Sequence, residues 1–162
     1  MNVIETEIPG LLIVEPKVFG DSRGFFIELY QADRYAESGI PSRFVQDNLS
    51  RSARGVLRGL HIQNPKPQGK LVTVLHGAVL DVVVDVRVGS PTFGRHSTVE
   101  LNDQNRRQVW IPRGFAHGFQ RVRRLEPVPC VGEGRSNQAD GKSAPRVHRQ
   151  GAPVRRPGQF CA

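Results

Sequence analysis

The residues best able to do chemistry crowd into positions 54 to 70, where Arg58, His61, Gln63 and Lys70 stand among Val56, Leu57, Leu60 and Ile62. A titratable ring and two fixed cations thus share a segment with side chains suited to a β-sheet interior. Burying such groups requires partners or a ligand, because an uncompensated charge in apolar surroundings is costly. In a regular strand Arg58 faces away from His61 unless a bulge or twist re-aims one of them. A surface hairpin with solvated polar residues accounts for the same stretch, so the rest of the chain has to decide.

A second polar constellation is Trp110-Ile-Pro-Arg-Gly-Phe-Ala-His-Gly-Phe119. Pro112 to His117 fits the P-x-G-x-x-H pattern of the second cupin motif, in which proline and glycine shape a turn and deliver a histidine to the barrel interior. A metal-binding cupin supplies H-x-H and a later glutamate from its first motif, whereas here that stretch is His61-Ile62-Gln63 with one imidazole. Two candidate ligands, His61 and His117, fall short of the three protein ligands usual for a catalytic zinc and lack the carboxylate of a facial triad. A metal-free site is the expectation, with a metal-dependent cupin as a third-ranked alternative.

Further polar side chains lie upstream. Phe44-Val-Gln-Asp-Asn-Leu-Ser50 reads as strand-like and is dense in amides; on a strand Gln46 and Asn48 share a face and offer donors and acceptors to ligand hydroxyls, while turn chemistry explains Asp47-Asn48 as well. In Arg23-Gly-Phe-Phe-Ile-Glu-Leu-Tyr30, alternation sets Phe26 and Glu28 on one face and Phe25, Ile27 and Leu29 on the other, one of them expected to meet the core. Asp81 and Asp85 also share a face, as a polar cavity lining or as the wet side of a sheet.

These groups need a scaffold, and 162 residues suffice for one domain with a real core. No stretch approaches the roughly 18 apolar residues of a membrane helix, and the N-terminus has two acids where a signal peptide has cations, so a soluble cytoplasmic protein is expected. Cys130 and Cys161 give no disulfide framework. The net charge of +8 is unevenly spread: residues 1–120 hold 14 Lys or Arg against 12 Asp or Glu, and residues 121–162 hold 9 against 3. The basic tail has 5 Pro, 5 Gly and a single aromatic, Phe160, so it lacks the stacking residues of a nucleic-acid binder, and no nucleic-acid partner is expected.

The scaffold reads as β. Residues 10–19, 71–77, 78–88, 95–101 and 107–112 carry strand patterns, the second and third joined by a turn, and residues 31–39 form the one short helix, with Asp33 near its start and Gly39 as its stop. Many short strands with Gly and Pro turns indicate an all-β sandwich, a cupin-like antiparallel jelly roll over residues 1–120, followed by an irregular tail over 121–162.

Seven segments in order carry a resemblance: Arg23 to Glu28, Gln46 to Ser50, Gly55 to Gln63, Gln68 to Val72, Asp81 to Arg87, Ser90 to Gly94 and Ile111 to Phe119. Together they resemble the successive motifs of the dTDP-4-dehydrorhamnose 3,5-epimerase family. The resemblance implies a cofactor-independent enzyme, commonly a homodimer, that inverts C3 and C5 of a dTDP-4-keto-6-deoxyhexose on the route to dTDP-L-rhamnose. It implies His61 as base, Lys70 as the cation stabilising the enolate, and Arg23, Glu28, Gln46, Asp47, Asn48, Arg58 and His117 as the substrate-binding set. The chemistry suits these types, since both carbons are α to the keto group and a neutral imidazole is a suitable base near physiological pH.

The resemblance stops after Phe119. The family continues with strands bearing an acid tyrosine and a late aspartate that supports the base. Here no tyrosine follows Tyr35, and Asp140 is the only aspartate of the tail. The abrupt change to Arg, Pro and Gly reads as translation in a shifted frame. A binding-only or inactive remnant of the family therefore stands beside the active epimerase as an expectation.

Overall fold

The computed structural model describes residues 1–41 and 43–122; the expected irregular tail lies, beyond Val122, outside the described residues. Ten strands and one helix follow in order: β1 (Asn2–Glu5), β2 (Leu12–Glu15), β3 (Val18–Asp21), β4 (Gly24–Ile27), α1 (Ala32–Glu37), β5 (Leu57–His61), β6 (Lys70–Thr73), β7 (Ala78–Asp85), β8 (His96–Asn102), β9 (Gln108–Ile111) and β10 (Phe115–Val122). They make two four-stranded sheets, β1-β2-β9-β6 and β5-β10-β7-β8, with β3 and β4 paired as a separate ribbon. Every recorded pairing is antiparallel, so the expected jelly roll is the architecture found.

The period of two along each strand decides what is buried where. Val109 and Ile111 of β9 join Val83, Val99, Leu101 and Phe115 in a cluster between the two large sheets, with Val72 and Val79 packed against it. Trp110 points to the other face of the same strand and packs with Val14, Tyr35 and Ile40. Both faces of β9 are thus covered, one by a sheet and the other by α1 and the chain after it. That explains why all four residues of this strand are buried.

Helix α1 is shorter than its sequence signal because its caps are tight. Gln31 is the N-cap, its Oε1 accepting from the Arg34 N–H at 2.7 Å, and Gly39 takes a φ of +81° just past the Ser38 C-cap. The helix is held down by Tyr35, whose hydroxyl lies 2.8 Å from both the Leu29 carbonyl and Gln108 Oε1.

Two expectations are corrected. Residues 44–50 form no strand: Gln46 Nε2 donates to Asn48 Oδ1 at 3.0 Å, so the amides bond to each other along an irregular run whose Val45 and Leu49 are exposed. Neither face of β4 meets the core either. Phe25 and Phe26 are 58% and 68% exposed, because β3 and β4 pair only with each other among the described strands. Phe25 is covered instead by the Arg106 guanidinium, 3.7 Å from the ring centre.

Candidate active site

Three neighbouring strands build the chemical face. Across β5, β10 and β7 one row reads His61, His117, Val83, and the next reads Arg58, Phe119, Asp81. Directly opposed residues in a sheet share a face, so all six do. Val83 on that face belongs to the cluster between the sheets, which fixes the direction of the whole set as inward. Asp81 and Asp85 are fully buried, which makes them lining of the interior and removes the alternative of a wet sheet side.

The strand β10 reaches the site through the Pro112-Arg113-Gly114 turn. Gly114 adopts a φ of +85°, and a Cβ there would lie 2.5 Å from Arg87 Cγ, so the turn lies against an arginine that in turn covers the Phe115 ring at 4.4 Å. His117, two residues on from Phe115, is buried, and its Nε2 lies 2.8 Å from Asp81 Oδ2. Asp81 Oδ1 is equally buried and has no hydrogen-bond partner among the described residues.

The opposite sheet contributes Lys70. It opposes Ile111 and stands two residues from Val72, both part of the packing between the sheets, so the half-buried Lys70 leans into the same layer as His117. Gly69 before it lies on Trp110, where a Cβ would be 2.4 Å from Cη2 of the ring. His61 and Arg58 are exposed, as is every residue of β5, an edge strand of its sheet. The apolar neighbours that suggested a sheet interior are open too, Leu57, Leu60 and Ile62 being at least half exposed. Arg58 donates through Nη2 to the Arg51 carbonyl at 3.3 Å.

The remaining candidates belong to other segments of the chain, and all but Asp47 are shown bonded to chain neighbours. Arg23, in the β3–β4 turn, donates to Asp21 Oδ2 from Nε at 3.0 Å and Nη2 at 2.6 Å, which holds the Asp21 carboxyl below its usual range. Glu28 accepts from Arg34 Nη2 at 2.6 Å, and Asp47 is exposed between Gln46 and Asn48. Exposed ion pairs of this kind are worth little, so each cation is available to a better anion.

Beside the site stands a second carboxylate centre that sequence reasoning did not resolve. Asp85 Oδ2 accepts from Ser90 Oγ and Thr92 Oγ1, both at 2.6 Å, and from Arg87 Nη2 at 2.8 Å. The Arg87 guanidinium, then the two hydroxyls, hold the Asp85 carboxyl far below the ordinary carboxylate range against the opposing effect of burial. The signal was present as Asp85, Arg87, Ser90 and Thr92 within eight positions. Among the described residues no three His, Cys, Asp or Glu side chains converge as metal ligands, and no helix is long and apolar enough to cross a membrane.

A jelly roll with an inward face of imidazoles, cations and a buried carboxylate is a cupin-type architecture. Residues 5–126 match the family model for dTDP-4-dehydrorhamnose 3,5-epimerase, and the chain belongs to that family. The dTDP-4-dehydrorhamnose 3,5-epimerase of Shigella flexneri is 59% identical over 121 residues, covering 74% of this chain and 67% of that protein. The dTDP-4-dehydrorhamnose 3-epimerase of Streptomyces niveus is 48% identical over 114 residues, 69% of this chain and 55% of that protein. Among solved structures, the Legionella pneumophila dTDP-6-deoxy-D-glucose-3,5-epimerase in complex with dTDP-4-keto-L-rhamnose superposes with a TM-score of 0.73 at 60% identity, covering 75% of this chain and 65% of that one. The chain spans about two thirds of the length of the relatives from Shigella, Methanothermobacter and Pseudomonas that it matches.

Proposed function

We propose that this chain acts on a dTDP-4-keto-6-deoxyhexose as a sugar-nucleotide epimerase, an isomerase of dTDP-L-rhamnose formation that uses no cofactor. The observation that carries the reading is the shared inward face of Arg58, His61, His117 and Asp81, with Lys70 leaning in from the facing sheet. His61 takes the proton from C3 or C5; the C–H electron pair moves into an enolate whose oxygen carries the charge. Lys70 stabilises that oxygen as a fixed cation. His117, held by Asp81, orients the sugar, and Arg58 and Arg23 take the pyrophosphate in charge-assisted hydrogen bonds. Glu28, Gln46, Asp47 and Asn48 complete the binding set. The carried-over site falls wholly within residues 1–120 and draws nothing from 121–162.

The enzyme is expected to work as a cytoplasmic homodimer, and sedimentation of the purified chain tests the dimer. The exposed Phe19, Phe25 and Phe26 offer apolar area for such an association.

A second reading is a protein that binds the sugar nucleotide without removing a proton from C3 or C5. It is favoured by the absence of any tyrosine after Tyr35. The two tyrosines present do not substitute: Tyr35 is buried on the far side of β9, where burial raises its hydroxyl pKa to about 12, and Tyr30 packs with it, tilted against the Tyr35 ring and edge-on to Phe44. Incubation with dTDP-4-keto-6-deoxyglucose in heavy water decides between them. Deuterium at C3 or C5, lost in His61→Ala, supports the enzyme; dTDP binding without deuterium uptake supports the binding protein; absence of both binding and uptake overturns both readings.

A further inference from the structure

The ladder between β5 and β10 changes step inside the site. His61 lies opposite His117 and Arg58 opposite Phe119, so β5 sets two residues, Gly59 and Leu60, against the single Gly118. This is a β-bulge, and its effect is to bring Arg58 and His61, three residues apart, onto one face. Without it the alternation of the strand would turn one of them outward.

The bulge fits only because both backbones are bare where they meet. A Cβ on Gly118 would lie 2.7 Å from the Arg58 carbonyl oxygen and 2.9 Å from Gly59 Cα, and a Cβ on Gly59 would lie 2.4 Å from Gly118 Cα. These are contacts with main-chain atoms, which cannot swing aside as a flexible side chain can. Gly59 also holds a φ of +122°, a conformation open to glycine and strained for other residues.

We propose that Gly118, together with Gly59, is a positioning residue of this site: the glycine pair holds the bulge that turns the His61 ring onto the face carrying the Arg58 cation. The functional part of this statement rests on the sugar-nucleotide reading above. The direction of the effect follows from how β5 is tied. Its upstream end is fixed to β10 by Gly55 N–H to the Arg121 carbonyl at 3.0 Å and by Arg121 N–H to the Val56 carbonyl at 2.9 Å. His61 is the last residue of the strand. A methyl group at position 118 presses on the Arg58 carbonyl and Gly59 Cα, and the larger shift falls on His61, at the end of the strand away from the ties at Gly55 and Val56.

The test compares the parent chain with Gly118→Ala and with Gly118→Ala combined with deletion of Gly59. The deletion leaves Arg58, Leu60 and His61 as an unbroken alternating run opposite Phe119, residue 118 and His117, with no bulge to accommodate. Three quantities are read: nuclear Overhauser contacts between His61 and His117, dTDP affinity and site number by calorimetry, and deuterium uptake per dTDP-binding site. Gly118→Ala should lose the contacts and lower uptake per site by on the order of 100-fold, while dTDP affinity changes by less than about threefold. The double variant should recover both the contacts and the uptake. If Gly118→Ala fails to fold, recovery of the fold and of the contacts in the double variant supports the proposal equally. Retained contacts in Gly118→Ala, a loss of uptake that only follows the loss of binding sites, or no recovery in the double variant would overturn it. A parent chain that shows the contacts but binds no dTDP refutes the sugar-nucleotide reading and leaves the glycine pair's role in the register to be judged by the contacts alone.

Discussion

His117 and Asp81, 36 positions apart, meet at 2.8 Å between Nε2 and Oδ2 with both side chains buried. The carboxylate fixes which way the ring faces, and the ring is the carboxylate's only partner among the described residues, because Oδ1 has none. Each is therefore costly to leave alone. Asp81→Ala should destabilise the protein by about 1–3 kcal/mol and weaken binding of the sugar nucleotide, whereas Asp81→Asn, which keeps a hydrogen-bonding group, should cost less. Urea unfolding and calorimetry on both variants measure this; equal losses in the two would mean that pairing to His117 is not what matters.

The Asp85 centre predicts an acid-sensitive fold. Its carboxyl is depressed in the folded state, so the stability it contributes is full above the unfolded value, roughly pH 4, and is lost as pH falls through the lower folded value. Asp85→Asn should lower stability at pH 7 by about 1–3 kcal/mol and flatten the acid limb of a melting-temperature profile below that pH. A variant with the parent's slope would show that other carboxylates set the acid limb.

Tyr35 makes the corresponding prediction at alkaline pH. Burial is the largest cause of its raised value of about 12, above the ordinary 10, so its contribution is present below pH 10 and declines as pH rises toward 12. Tyr35→Phe keeps the packing and leaves Gln108 Oε1 without this donor. A loss of about 1–2 kcal/mol is expected, with a weaker decline of stability above pH 10 than the parent shows.

Much of this is legible in the sequence, for a physical reason. The valine-rich run of β7 and the Pro112 to His117 turn are local signals, and period two alone puts Asp81 and Asp85 on one side. What period two could not supply was the partner strand. It left Arg58 and His61 on opposite faces, and only the pairing with β10, on either side of Gly118, shows where the register slips. The run 44–50 misled because its alternation has no neighbouring strand to satisfy it, so its amides bond to each other. In β4, alternation gave the two faces but not which of them is covered.

The tail bears on function through what the family carries there. The family match runs to residue 126, and the residues beyond it hold no tyrosine. If a shifted reading frame produced this ending, the coding DNA read in one of the two other frames after codon 119 will encode a further strand with a tyrosine. Stop codons or unrelated sequence in both frames would rule out that origin.

The last prediction separates the base from the missing acid. If His61 is the base and Lys70 the cation of the enolate, as proposed, the chain can remove the proton and stabilise the enolate without any group on the opposite sugar face. Inversion requires a proton to arrive on that opposite face, and the sequence has no tyrosine between positions 36 and 162 to deliver it. His61 itself can return a proton, but only to the face from which it took one. Because His61 sits exposed on an edge strand, its proton exchanges with solvent between removal and return. In heavy water the result is deuterium at C3 or C5 with unchanged configuration, so uptake should outpace formation of the epimerised sugar. His61→Ala should abolish the uptake, and Lys70→Met should slow it while the dTDP affinity stays near the parent's. Proton spectra of the recovered sugar nucleotide report label and configuration together. Inversion as fast as uptake would mean that another group supplies the proton, and undiminished uptake in His61→Ala would remove His61 from the role of base.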